Sequence, residues 1–174
     1  MKAIRFVPLR DQERSAFSCG EPSLDVYLKT QAGQDMRRGF AAVIAAVHAG
    51  APDIVLGYYS LSAASIDLTL LPEYIRRTMP RYGQAPAALL GRLATDAGIR
   101  GQGLGALLLA NALLRAYTSE LAWAVFLVSA QHEHAAAFYR HFGFSSFSHE
   151  ALYLWLTRLE VQKLRPSGSR AAVQ

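Results

Sequence analysis

Three glycines on alternate positions, Gly101, Gly103 and Gly105, constrain this chain more than any other feature. They sit inside Leu89-Leu90-Gly91-Arg92-Leu93-Ala94-Thr95-Asp96-Ala97-Gly98-Ile99-Arg100-Gly101-Gln102-Gly103-Leu104-Gly105-Ala106. Leu89 to Thr95 is short, apolar and free of proline, which predicts a largely buried strand. Asp96 to Gly98 is turn chemistry. From Leu104 the leucines Leu104, Leu107, Leu108 and Leu114 fall on helical spacing. A helix opening directly behind glycines turns its free N–H groups and positive dipole end toward the loop. Glycines let a ligand reach that backbone, so the stretch predicts an anion site, with phosphate the expected anion.

Gly101-x-Gly103-x-x-Ala106 fits the loose dinucleotide fingerprint, a weak signal when it stands by itself. No Gly-Lys-Ser/Thr follows, which excludes the Walker pattern. A dinucleotide fold would also start its parallel sheet at the loop. Here at least three strands precede it, two of them joined by a hairpin turn at Ala49-Gly50-Ala51-Pro52-Asp53.

The remaining elements follow from patterning. Ile4 to Val7 predicts a first strand, and Pro22 opens a helix carrying Leu24, Tyr27 and Leu28 on one face. Phe40 to His48 and Ile54 to Ala63 predict an antiparallel pair rich in sheet formers. Ile66 to Gln84 is irregular, with a short helix near Glu73 to Thr78. Segments of that length between strands are often functional. A helix to about Tyr117 and a buried strand, Ala122 to Ser129, complete a right-handed strand–helix–strand crossover, so the two strands are expected parallel. Glu133 to His141 predicts a short helix capped at Gly143. Phe144 to Phe147 and Ala151 to Leu156 predict a last antiparallel pair. The expected organisation is one domain over residues 1–164, followed by a disordered tail over 165–174.

Composition narrows the setting. The chain has 174 residues, one cysteine and a formal charge of +5. Arginine outnumbers lysine 15 to 3. Arginine grips phosphate bidentately, so the bias is consistent with a polyanionic partner, although a GC-rich genome produces the same bias. No apolar run is long enough for a membrane helix, and Cys19 has no partner for an intrachain disulfide. A cytoplasmic protein is the expectation. His132, His134 and His141 are close in sequence but lack cysteine and a shared face, so no metal site is expected.

A second motif, Ala135-Ala136-Ala137-Phe138-Tyr139-Arg140-His141-Phe142-Gly143-Phe144, follows the strand after the loop. Arg100-x-x-Gly103-x-Gly105 followed by Tyr139 to Phe144 resembles the GNAT acyltransferases. Phe17-x-Cys19-Gly20-x-x-x-Leu24-Asp25-x-Tyr27-Leu28, Gly57-Tyr58-Tyr59-Ser60-Leu61-Ser62-Ala63 and Leu90-Gly91-Arg92-Leu93-Ala94 resemble the GNAT toxins of bacterial toxin–antitoxin pairs, the TacT and AtaT group. The likeness runs from about Phe6 to Leu156.

The resemblance implies an α/β (α+β) GNAT fold. Its sheet would be mixed and mostly antiparallel, with a parallel strand pair flanking the coenzyme A loop and helices on both faces. It implies acetyl-CoA as cosubstrate, held by Leu93, Ala94, Thr95, Arg100, Gly101, Gln102, Gly103, Leu104, Gly105 and Ala106, with Tyr139 as general acid beside the sulfur. It implies transfer to the α-amino group of aminoacyl-tRNA, which stops translation, and a ribbon-helix-helix antitoxin as partner. A homodimer stays open, as does the same fold acting on another amine, small molecule or protein. Candidate tRNA contacts are Arg38, Arg76, Arg77 and Arg92, the last either a structural ion-pair residue or a contact to the acceptor end. His132 departs from the family, which often has asparagine there in contact with pantetheine.

Overall fold

The computed structural model describes residues 3–164, so the expected tail over 165–174 lies outside the described residues. The strands are β1 (Ile4–Pro8), β2 (Ala42–His48), β3 (Ala51–Asp67), β4 (Gln84–Thr95), β5 (Val125–Ser129), β6 (Ser145–Ser146) and β7 (Tyr153–Thr157). The helices are α1 (Pro22–Val26), α2 (Ala32–Arg37), α3 (Glu73–Arg76), α4 (Leu104–Thr118), α5 (Glu133–His141) and α6 (Arg158–Lys163). Hydrogen-bonded strand order is β1-β2-β3-β4-β5-β7-β6. β1–β2, β2–β3, β5–β7 and β6–β7 are antiparallel, and β4–β5 is the parallel pair that the crossover required.

The chain divides into two compact units. The first holds residues up to Ala63 together with Leu89–Ala116, and the second Ala64–Ala88 together with the chain from Tyr117. In the first unit, alternation along β3 sends neighbouring tyrosines to opposite faces. The Tyr58 hydroxyl donates to the Leu24 carbonyl of α1 at 2.8 Å, and the Tyr59 hydroxyl to Asn111 of α4 at 2.7 Å. A helix is thereby tied to each face. Leu9, Phe17, Leu24, Leu28, Val43, Val55 and Ala94 fill one of the two layers. In the second unit the core gathers Trp123, Phe126, Tyr139, Phe144, Phe147 and Trp155.

Departures from expectation have local causes. The helix begun at Pro22 is interrupted by a π-helical turn over Tyr27–Gln31 before Gly33 is reached. β4 starts before Pro86 because proline lacks only a donor. The Pro86 carbonyl still accepts from the Ala124 N–H at 2.8 Å. β3 extends through Asp67, its register with β2 shifting near Val47. α6 was not expected, although Thr157 and Glu160 form a reciprocal capping box that the sequence displays.

At Gly57 the backbone of β3 lies close against β4 and α4. A Cβ there would stand 2.9 Å from the Ala94 carbonyl oxygen and 2.9 Å from a Leu108 methyl. Gly57→Ala is expected to cost about 1–3 kcal/mol, because a backbone oxygen cannot swing aside. Gly50→Ala, with nothing within 4 Å of its Cβ, is the control and should be near neutral. Chemical denaturation of the two variants beside the parent measures the difference.

Candidate functional site

The glycine-rich loop opens as anticipated. Asp96 ends β4 by accepting from the Gly98 N–H at 2.9 Å and from the Ser18 N–H at 3.1 Å. A 3₁₀ turn, Ala97–Ile99, follows. Gly101 and Gly103 then adopt left-handed φ of 79° and 80°, and nothing lies within 4 Å of the place a Cβ would occupy at either. The loop is therefore an open concavity of backbone. Leu107 N–H reaches the Gly103 carbonyl at 3.2 Å, so the first turn of α4 leaves the N–H groups of Leu104, Gly105 and Ala106 without intrahelical acceptors. That geometry fits a diphosphate: donors converge, the dipole is favourable, and no side chain fills the space.

The strand leading into the loop supplies further donors. The Asp96 N–H donates to the Leu56 carbonyl of β3 at 2.8 Å. Backbone groups alternate sides along a strand, so those of Leu93 and Thr95 point to the edge of β4 away from β3. Arg100 behaves differently from its neighbours. Its guanidinium donates to the Cys19 carbonyl at 2.5 Å and its N–H to the Ala97 carbonyl at 3.3 Å. Its side chain thus braces the Phe17–Gly20 segment against the loop. Gln102 is exposed and borders a small crevice with Ile4, His48 and Leu104. Cys19 is buried, and burial, with Asp25 second, pushes its thiol up to about 11, which removes it as a nucleophile at neutral pH.

Tyr139 lies in the second unit, on the buried face of α5. The rings of Phe138 and Phe144 pack edge-on against it at 5.2 Å and 5.7 Å. Its hydroxyl makes no hydrogen bond to another described residue, and burial raises its pKa above the ordinary tyrosine value. The proton is consequently held across the physiological range. His132 caps α5, its Nδ1 accepting from the Ala135 N–H at 3.2 Å, which leaves the neutral ring's proton on Nε2. Two carboxylates near these elements are both engaged within the fold: Glu133 pairs with Arg140, and Asp96 holds the turn. No cluster of metal-binding side chains occurs among the described residues.

The candidate tRNA-contacting arginines fall into different settings. Arg38 caps α2 and is exposed. Arg77 pairs with Glu73 at 2.6 Å on an exposed helix face, a contact worth little in water. Arg76 and Arg77 line a shallow depression with Arg81, Met79 and Glu73. Arg92 lies in the first unit, with its guanidinium 3.6 Å from the centroid of the Tyr27 ring. Tyr27 reads in the sequence as a plain core residue, and no sequence signal marks it as the platform for that arginine.

Comparison with known proteins agrees with this geometry. The sequence model of the acetyltransferase (GNAT) domain matches residues 53–146. A tRNA-acetylating toxin from Mycobacterium tuberculosis (strain ATCC 25618 / H37Rv) is 35% identical over 152 residues, 86% of this chain and 89% of that protein. The structure of AtaT complexed with acetyl-methionyl-tRNAfMet superposes with a TM-score of 0.85 at 27% identity, covering 93% of this chain and 99% of that one. The AtaT Y144F mutant toxin bound to the C-terminus of the antitoxin AtaR superposes with a TM-score of 0.78 at 26% identity, covering 92% and 97%. With the domain model spanning more than half of its length and a relative of this identity spanning most of it, the chain belongs to the GNAT acetyltransferase family.

Proposed function

We propose that this chain is a toxin that transfers the acetyl group of acetyl-CoA to the α-amino group of aminoacyl-tRNA, stopping translation in the cytoplasm. The donor follows from the family, whose members use acetyl-CoA. The acceptor rests on the depression over residues 73–81, where three arginines meet one glutamate. The exposed ring of Tyr74 lies within that stretch and that of Tyr82 directly follows it. Cations beside exposed aromatics suit phosphates and unstacked bases at a single-stranded RNA end. The likeness to the tRNA-acetylating toxin and to AtaT with its tRNA supports the same acceptor.

The chemistry suits the residues present. An α-amine has a pKa near 7.7–8.0, against about 10.4 for lysine, so a large fraction is already neutral at physiological pH. No strong base is required. The N–H groups of Leu93 or Thr95 would take the developing oxyanion. The loop from Gly101 through Ala106 would hold the diphosphate, with Arg100 bracing it. Tyr139 would donate to the departing thiolate. Burial raises its pKa, so the hydroxyl stays protonated and available as a donor at physiological pH. The alternative, acetylation of a small-molecule or protein amine, gives the basic depression no role.

We further propose a single domain over residues 1–164 and an antitoxin of ribbon-helix-helix type. The similar AtaT structure bound to the C-terminus of the antitoxin AtaR supports an antitoxin as partner.

Three outcomes follow. Gly103→Glu places an anion in the loop and should abolish acetyl-CoA binding by calorimetry; binding equal to the parent's would show that the loop is not the diphosphate site. Tyr139→Phe should lower turnover about 10²–10⁴-fold while leaving the melting temperature nearly unchanged. With the parent, kcat/KM should rise with pH through the amine pKa and then stay level, because a raised tyrosine pKa puts loss of the proton well above that range. A descending limb below pH 9 would assign the acid elsewhere. Finally, purified protein with labelled acetyl-CoA and charged total tRNA should place label on the amino acid, releasable by mild alkaline deacylation. Replacing Arg76, Arg77 or Arg38 by glutamate should raise KM for tRNA and leave that for acetyl-CoA alone. Equal labelling of uncharged tRNA, or none of charged tRNA, would transfer the case to the small-amine alternative.

A further inference from the structure

Arg92 differs from the other arginines that are not fully exposed. Arg14 donates to the Arg10 carbonyl, Arg158 to the Tyr117 carbonyl, and Arg140 to Glu133 and Ser146; even the more exposed Arg100 donates to the Cys19 carbonyl. Arg92 is half-buried on β4, yet it forms no hydrogen bond or ion pair to any described residue. What holds it is the face of Tyr27, 3.6 Å from the guanidinium. Tyr27 is only 2% exposed, and its hydroxyl is buried without a hydrogen-bond partner. Burial pushes that hydroxyl up to about 12, with Arg92 opposing and Asp35 adding to the rise. Asp35 itself makes no ion pair with Arg92.

The Arg92 nitrogens are not among the buried polar atoms that lack a partner, so the donor edge, up to five N–H groups, reaches solvent and is unspent on the protein. Ring stacking uses the face of the group and leaves its donor edge available for a planar, two-oxygen partner. Tyr27 opens the π-helical turn Tyr27–Gln31, a distortion that recurs at functional sites. Arg92 also directly precedes Leu93–Thr95, and at about 3.3 Å per residue it lies within roughly 10 Å of their whole backbone.

We propose that Arg92, held flat by Tyr27, is an oxyanion clamp for the acceptor, taking a phosphodiester group near the 3′ end of the RNA. The inference rests on the aminoacyl-tRNA reading. Within that reading it assigns to Arg92 a role distinct from that of the exposed arginines: they collect the RNA, whereas Arg92 fixes the position of its end.

The test compares two acceptors bearing the same α-amine next to an ester: a charged tRNA, and the methyl ester of the same amino acid, which has no phosphate. Arg92→Ala should lower kcat/KM on the charged tRNA about 10–100-fold, the worth of hydrogen bonds to a charged group. It should leave kcat/KM on the methyl ester and KM for acetyl-CoA within about twofold. The slope of log kcat/KM against log salt should become shallower by about one, the signature of one lost phosphate contact. Arg92→Lys keeps the charge but loses the fork, and should recover less than half of the logarithmic loss. Tyr27→Leu should weaken the charged-tRNA reaction in the same direction by releasing the guanidinium from its platform. Arg92→Gln keeps part of the stem and serves if the alanine variant does not fold. An equal loss on both acceptors, or an unchanged salt slope in a folded variant, overturns the clamp. A parent that acetylates the methyl ester but no charged tRNA overturns the aminoacyl-tRNA reading and the clamp with it. Labelled charged tRNA with Arg92 variants indistinguishable from the parent overturns the clamp alone.

Discussion

The close approach of β3 to the end of β4 at Gly57 is the contact on which the first unit depends. With no side chain at 57, the Ala94 carbonyl and Leu108 of α4 both come within what would be 2.9 Å of a Cβ. Next to it the Asp96 N–H donates to the Leu56 carbonyl at 2.8 Å, where β4 ends. Tyr58 and Tyr59, the next residues on β3, then anchor α1 and α4 on opposite faces. β4 therefore leaves the sheet at a defined point, with α4 fixed behind it. The loop between them has little freedom except at Gly101 and Gly103, where left-handed φ turns the chain back toward the helix. An open backbone cradle of this kind follows from a strand end and a helix start that are both pinned.

Much of this was legible in the sequence because it is encoded locally. Glycine spacing ahead of a leucine-periodic stretch announces the loop and α4 without tertiary knowledge. Gly143 announces the end of α5, and there the Phe144 N–H does return to the Tyr139 carbonyl, at 3.2 Å. The crossover rule predicted the parallel relation of β4 and β5 from spacing alone. Boundaries were less legible where a non-local hydrogen bond overrides a local signal, as at Pro86, whose carbonyl is captured by Ala124. The capping box at Thr157 and Glu160 was visible in the sequence, but it follows β7 so closely that the strand pattern masks it.

The roles of individual side chains were less legible for a different reason. His132 reads as a departure from a cofactor contact, and the structure uses it as a helix cap. Arg100 belongs to the loop motif, yet its side chain turns away to the Cys19 carbonyl, 81 positions earlier in the sequence. Sequence names the residue types that a motif requires. It does not record which donors are already spent on the protein, and that depends on contacts made across long stretches of chain.

That distinction decides how the arginine excess should be read. Composition alone leaves fifteen arginines equally divided between genomic bias and a polyanionic partner. The structure separates them by occupation. Arg100, Arg140 and Arg158 are bound into the fold by carbonyls or a carboxylate, and Arg77 is lightly held by Glu73. Arg38, Arg76 and Arg81 make no side-chain hydrogen bond or ion pair among the described residues, and all three stand at or near the surface. Such groups are hydrated at no cost and stay available to an anionic partner. Arg92 is the contrasting case: it is half-buried and stacked, yet its donors are idle. A genomic bias accounts for arginines on the surface, where substitution is cheap. It does not explain why the Arg92 guanidinium lies flat on a buried ring with its donor edge unspent on the protein, an arrangement suited to a planar two-oxygen ligand.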